Sequence, residues 1–231
     1  MKIMDELQTI QWLIDNRGSI SRYGDGELKI CTGRAAKSQP GGLEIQIRLC
    51  DILKKPLPGH LVGIPRNLDR NDWPTKEKGI FWAKYATERY LDLYDPKIQY
   101  GSAFITRPDT NSALNTVEYY ELIKALWKDR SVLVCHGEGR GFLKRPCLLD
   151  TARDHKVVIA PAYDAFADYQ SLLSNLLSAS NENTVVLLSL GPTATVLAYD
   201  LHKAGRQALD LGHLGMFYAH VHPKSTGPNH G

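Results

Sequence analysis

Val185-Val186-Leu187-Leu188-Ser189-Leu190, running straight into Gly191-Pro192-Thr193-Ala194-Thr195 and then Val196-Leu197-Ala198, decides how the chain is read. A short apolar run closed by glycine and proline reads as a strand and a tight loop, and the longer apolar pattern beyond it reads as a helix. Proline suits the first turn of a helix, where its missing N–H costs nothing. The free N–H groups and the dipole at such a helix start attract phosphate. Thr193 can cap the helix or bond a phosphate oxygen. The stretch is not a P-loop, because the second glycine and the Lys-Ser/Thr pair are missing.

The same rhythm repeats outward in both directions. Strands are expected near 19–23 (SISRY), 61–64 (LVGI), 98–105 (IQYGSAFI), 132–135 (VLVC), 157–160 (VVIA), 185–190 and 208–211 (ALDL). Helical patterns fill the gaps: Leu43, Ile47 and Cys50; Phe81, Tyr85 and Leu91; Val117 to Trp127; Ala165 to Leu177; Thr193 to Lys203. Ile3, Leu7, Ile10 and Ile14 add an amphipathic helix at the start, closed by Arg17-Gly18. Strands alternating with helices predict an α/β fold, a Rossmann-like doubly wound and mostly parallel sheet with helices on both faces.

A chain of 231 residues, 43% hydrophobic and 23% charged, suits one domain, read here as 1–223, with 224–231 (KSTGPNHG) as a tail. A net charge of +3 gives no reason to expect nucleic acid or an anionic membrane as partner. Cys31, Cys50, Cys135 and Cys147 follow no C-x-x-C spacing, so a reducing, cytoplasmic setting is expected. Asp5, Glu6 and Asp15 interrupt any signal-like apolar run, and no stretch is long enough to span a membrane.

The unusual residues lie directly after the expected strands: RYGDGE, GIPRN, ITRPD, HGEGRG, APAYDAF, LGPTAT and DLGH. Ligands of open α/β sheets bind beyond the carboxyl ends of the strands, so seven polar clusters converge there. In Arg22-Tyr23-Gly24-Asp25-Gly26-Glu27 two carboxylates sit on what reads as a glycine-loosened turn, a pair of oxygen ligands suited to Mg²⁺ or Mn²⁺. An ordinary surface turn with an ion-paired Arg22 is the alternative. Glu138 in the glycine-rich 136–141 loop is a candidate general base or ribose ligand, and Arg140 and Arg107 are candidates for neutralising a diphosphate. Arg66 offers positive charge in the same way. Asp164 reads as a helix cap, and Asp210 and His213 as substrate-binding, catalytic or buried structural groups.

Taken as an ordered set, R-Y-G-D-G-E at 22–27, A-F-I-T-R-P at 103–108, Gly137-Glu138, P-A-x-x-A-F at 161–166 and L-G-P-T-A-T-V-L-A-Y-D-L at 190–201 resemble the GT-D fold glycosyltransferases, a bacterial family. The likeness runs from Ser19 to His213. It implies transfer of a hexose from a nucleotide-diphosphate sugar, a UDP-sugar, to a glycan or glycoprotein-linked acceptor hydroxyl. It also implies a D-x-E metal motif, matched here by Asp25 and Glu27, with Mn²⁺ or Mg²⁺ as cofactor. Arg22, Arg107, Arg140, Gly191, Pro192 and Thr193 become expected donor contacts, and Glu138 and Asp210 candidate catalytic bases. Leu214 to Tyr218 lacks the acidic residues expected from that likeness. A nucleotide-dependent phosphotransferase or pyrophosphatase, or a non-catalytic nucleotide-binding module, would use the same metal and phosphate features.

Overall fold

The computed structural model describes residues 2–66, 75–139, 142 and 146–221. Its strands are β1 (Lys2–Ile3), β2 (Ser19–Arg22), β3 (His60–Ile64), β4 (Gln99–Ser102), β5 (Ser131–Gly137), β6 (Asp154–Ala160), β7 (Thr184–Ser189) and β8 (Gln207–Asp210). Its helices are α1 (Glu6–Asn16), α2 (Asp25–Cys31), α3 (Leu43–Lys54), α4 (Lys76–Ala83), α5 (Glu88–Leu91), α6 (Val117–Lys124), α7 (Tyr169–Ala179), α8 (Pro192–Lys203) and α9 (Leu214–Val221). Among the described residues the eight strands form one sheet in the order β1-β4-β3-β2-β8-β7-β5-β6. Every pairing in it is parallel. The α/β sheet read from the sequence is therefore present, with each expected strand in place.

Side chains of β7 alternate between two cores, as a pleated strand buried on both faces must. Val186 and Leu188 face one apolar cluster with α3, α7 and α8. Val185 and Leu187 face the other, with Ile10 and Leu13 of α1, Tyr120 and Ile123 of α6, and Leu214 of α9. The sheet is thus covered on both sides, and its free surface is confined to strand ends and edges. The first long strand, β2, lies against the last, β8, with Ile20 paired to Leu209. The two runs of the strand order, β4-β3-β2 and β8-β7-β5, meet there.

Several helical faces differ from their expected ones. Ile3 belongs to β1, paired with Tyr100 of β4, and Leu7 is exposed, so α1 turns Thr9, Ile10 and Leu13 inward. Asp5 opens α1 with a capping box: its carboxylate accepts from the Gln8 N–H at 2.8 Å and the Gln8 side chain accepts from the Asp5 N–H at 3.0 Å. In α3 the series 43, 47, 50 competes with 45, 49, 52, 53. The second buries one more apolar side chain and wins, leaving Leu43 and Ile47 on the surface. The expected helix through Phe81, Tyr85 and Leu91 is split between α4 and α5, with Tyr85 buried in the break. β4 stops at Ser102 instead of Ile105, because residues 103–106 turn so that the Ala103 carbonyl meets the Arg22 guanidinium at 2.9 Å. The expected tail, 224–231, lies outside the described residues.

Leu197, fully buried on α8 against the sheet, reports how far stability depends on that helix. Leu197→Ala should lower unfolding free energy by about 2–5 kcal/mol. Urea denaturation followed by circular dichroism measures this, and a loss within error of zero would show that α8 is not part of the cooperative core.

Candidate active site

Loops that leave the carboxyl ends of β2, β4, β5, β6, β7 and β8 enclose a cavity of about 600 Å³. Six of the seven polar clusters contribute to its lining, through Arg22 with Gly24 to Glu27, Arg107, Gly137 and Gly139, Ala162, Leu190 to Pro192, and Asp210 with Gly212 and His213. The cluster after β3 does not. Arg66 turns away to pair with the buried carboxylate of Glu6 at 3.2 Å, and Asn67 lies outside the described residues.

Asp25 and Glu27 occupy the first turn of α2 and not a loosened turn. Positions two apart on a helix are about 200° apart around its axis, so the two carboxylates diverge. Asp25 points outward to Lys29 at 2.7 Å. Glu27 points inward, buried, and its Oε2 accepts the Gly24 N–H at 2.6 Å, capping the helix it sits on. Both still line the cavity, together with Asp210.

Asp210 is buried at the end of β8, and Arg22 at the end of β2 is shaped around it. The Arg22 backbone N–H donates to Asp210 Oδ2 at 3.2 Å, its Nε donates to the Asp210 carbonyl at 2.5 Å, and Nη2 lies 3.7 Å from Oδ1. Arg22 Nη1 donates to the Ala103 carbonyl at 2.9 Å and to Thr106 Oγ1 at 2.6 Å. Burial pushes the Asp210 carboxyl above its ordinary range, against the pull of Arg22 and of nearby N–H and hydroxyl groups. Burial, then the charge of Asp210, raises Glu27 to about 7, with the Gly24 N–H opposing.

Glu27, whose proton affinity is raised first by burial and then by the charge of Asp210, opens with the half-buried Asp25 and with Asp210 on one cavity, and these carboxylates form an oxygen-donor set that a divalent cation would relieve. Among the described residues no three His, Cys, Asp or Glu side chains are grouped as a metal site. Mg²⁺ and Mn²⁺ fit this arrangement nonetheless, since Mg²⁺ commonly takes one or two protein carboxylates and completes its octahedron with water and phosphate oxygens.

Beside the start of α2, where a Cβ on Gly26 would stand 3.6 Å from Pro192 Cγ, Gly191 and Pro192 present the start of α8. Gly191 adopts a φ of 55°, and a Cβ there would stand 2.8 Å from Ser38 Oγ, so only glycine fits. Thr193 faces away: it is fully buried, and its hydroxyl donates to Gln39 Oε1 at 3.1 Å, neither capping α8 nor reaching the cavity. Arg107 lines the cavity but is held by Asp109 through Nε at 2.8 Å and Nη2 at 3.0 Å. Glu138 is exposed and outside the lining, although Gly137 and Gly139 beside it belong to it. Arg140 lies outside the described residues. Asp164 sits in the left-handed region at φ 53° and makes no side-chain helix cap; its carboxylate instead accepts from Gln39 Nε2 at 2.6 Å. The sequence reading missed the wall made by Ala36, Lys37 and Ser38. Its signal was the polar, proline- and glycine-rich run Lys37-Ser38-Gln39-Pro40-Gly41-Gly42 between α2 and α3.

Glu27 sets a pH dependence with a definite sign. Between its ordinary 4.5 and about 7 the folded chain holds a proton that the unfolded chain has lost. Stability therefore falls as pH rises through that window and levels off above it. Without divalent cations, Glu27→Gln should gain on the unsubstituted chain by about 3 kcal/mol between pH 4 and pH 8. Urea titrations across the range measure it, and parallel pH profiles for the two proteins would mean that water reaches the carboxylate.

The family model described as Glycosyltransferase GT-D fold matches residues 20–224. A probable glycosyl transferase Gly of Streptococcus gordonii is 28% identical over 219 residues, covering 91% of this chain and 32% of that protein. Glycosyltransferase GlyD of Streptococcus pneumoniae is 27% identical over 216 residues, covering 91% of this chain and 26% of its own length. The chain thus spans about a third or less of these relatives. Two solved structures superimpose on it over 94% of its length. One, of the conserved domain of unknown function 1792, described as having a distinct glycosyltransferase fold, gives a TM-score of 0.84 at 30% identity over 80% of that chain. The other, a new glycosyltransferase of the same domain type from Streptococcus sanguinis, gives 0.85 at 28% over 83%. The chain belongs to the GT-D fold glycosyltransferase family.

Proposed function

We propose that the chain transfers a hexose from a nucleotide-diphosphate sugar, a UDP-sugar, to a hydroxyl of a glycan or glycoprotein-linked acceptor, assisted by Mn²⁺ or Mg²⁺. The observation that carries this reading is the meeting of Asp25, Glu27 and Asp210 with the start of α8 on one cavity at the carboxyl ends of β2, β7 and β8. A nucleotide sugar needs both features, a cation beside its diphosphate and fixed dipoles facing it.

Asp25 and Glu27 are the residues that would hold the metal, Glu27 from the inner side of α2 and Asp25 by leaving its pair with Lys29. When bound, the ion supplies positive charge that stabilises the departing nucleoside diphosphate. The chain's own groups do the rest. The start of α8 at Gly191 and Pro192 faces the phosphates, and glycine lets them approach the backbone closely. Asp210 is the better placed of the two candidate bases, because it lines the cavity and Glu138 does not. Its raised proton affinity suits it to take a proton from the acceptor hydroxyl. Arg22 serves the reaction indirectly, by fixing that carboxylate. Arg107 is available to the donor only as half of its pair with Asp109.

Nothing in the described chain calls for a membrane: no helix among the described residues is long and apolar enough to cross one. The four cysteines are free. The cysteines' unrelated spacings support placing the reaction in the reducing cytoplasm as part of the same proposal.

A panel of nucleotide sugars, tested for thermal stabilisation with and without Mn²⁺, identifies the donor. Mass spectrometry of products from a glycan acceptor then separates transfer from simple diphosphate hydrolysis. Asp25→Asn and Glu27→Gln should each lower turnover by roughly 100-fold or more while the protein stays folded, and chelation should do the same to the unsubstituted enzyme. Full turnover in both variants would remove the metal site, and hydrolysis without glycan extension would remove the transferase reading.

A further inference from the structure

Among the described residues, three Lys or Arg side chains line the cavity: Arg22, Lys37 and Arg107. Two are committed. Arg22 is held by hydrogen bonds to Asp210, Ala103 and Thr106, and Arg107 is paired bidentately with Asp109. Lys37 is exposed and has no ion-pair or hydrogen-bond partner among the described residues. A departing diphosphate brings two or more negative charges into a cavity already holding three carboxylates, and among the described residues Lys37 is the lining Lys or Arg with no acidic partner to meet them.

The loop that carries Lys37 is not left to wander. Gln39, two residues on, is buried at 3% exposure, and both ends of its amide are engaged. Its Nε2 donates to Asp164 at 2.6 Å, and its Oε1 accepts from the Thr193 hydroxyl at 3.1 Å and from the Phe166 N–H at 3.2 Å. Its backbone carbonyl accepts the Ala36 N–H at 2.9 Å, closing a turn around Lys37, and the Ser38 carbonyl accepts the Asp164 N–H at 2.9 Å. One buried amide thus ties the Lys37 turn to the first turn of α8 and to the loop after β6. Ser38 packs so close to Gly191 that the turn and the start of α8 form one continuous wall.

We infer that Lys37 binds the leaving nucleoside diphosphate and that Gln39 is a positioning residue which holds the Lys37 turn beside the start of α8. This rests on the reading of the cavity as a nucleotide-sugar site. A lysine suits the role because its ammonium is a point charge on a flexible stem, able to follow the phosphates as the glycosidic bond breaks and to let them go afterwards. The chemistry recognised is the diphosphate, not the base or the sugar.

Calorimetry with UDP, GDP, CDP and dTDP, each against its own nucleoside and all with Mn²⁺, tests both assignments. Lys37→Ala should weaken the preferred diphosphate at least tenfold and its nucleoside less than twofold, and Lys37→Arg should restore most of the loss. Gln39→Ala should show the same selective loss, but no further loss when added to Lys37→Ala, because it acts through that lysine. Circular dichroism and the unchanged nucleoside affinity report that the fold survives. Equal affinities for Lys37→Ala and the unsubstituted chain would overturn the lysine assignment and leave the nucleotide-sugar reading standing. Additive losses in the double variant would overturn the positioning role. An unsubstituted chain that binds none of the diphosphates would overturn both the inference and the reading beneath it.

Discussion

The site depends first on the buried pair of Arg22 and Asp210. A guanidinium and a carboxylate with side-chain exposures of 9% and 7% carry a large desolvation cost, tolerable only where every donor finds an acceptor. Arg22 offsets that cost by reaching two elements at once: the last residue of β8, and the turn after β4 through the Ala103 carbonyl and Thr106, whose hydroxyl donates onward to the Leu211 carbonyl at 3.0 Å. Thr195 of α8 closes the network by donating to the Arg22 carbonyl at 2.9 Å. The first and last long strands, adjacent only because of the strand order, are thereby locked at the ends that face the cavity. Glycines make room for this: a Cβ on Gly212 would stand 2.4 Å from Arg22 Nη2, and one on Gly63 3.2 Å from its Cγ.

That lock fixes the electrostatics of everything nearby. Asp210 has its counterion in Arg22, and Asp25 has one in Lys29. Glu27 has no ion pair among the described residues, only the Gly24 N–H, and lies close enough to Asp210 for the second charge to raise its proton affinity further. The cavity floor is therefore short of positive charge at one defined place, the inner end of the first turn of α2. Shortage at a helix start, where the dipole already favours anions, means that burial and Asp210 together outweigh the helix.

Much of the architecture was legible because its signals are local. Each interior strand announced itself as a short apolar run closed by Gly, Pro or a polar cluster, and those clusters, the one after β3 excepted, fell where the cavity is lined. Local signals also set the limits. The faces of α1 and α3 were misjudged because two apolar series compete at helical spacing, and only the sheet beneath decides between them. Asp25-Gly26-Glu27 looked like a turn because glycine lowers helix propensity, yet the carboxylate at 27 caps the helix from within. The roles of Arg22 and Thr193 depend on partners at Asp210 and Gln39, 188 and 154 residues away in the chain. No window on the sequence contains both members of such a pair.

The cavity thus divides its basic groups by the work each can do. An arginine forks to several acceptors in fixed geometry and, once buried and saturated, becomes part of the frame. Arg22 is spent in this way. A nucleotide-sugar enzyme also needs charge that is free at rest, engages a ligand whose own charge grows during the reaction, and releases it afterwards. A saturated group cannot do this, since each new bond to ligand would break one within the protein. An exposed lysine can, provided its backbone is held still, because the freedom then resides in one side chain and not in a whole loop. The turn at 36–39 has this construction: the mobile group is Lys37, and the buried amide of Gln39 fixes the chain beneath it.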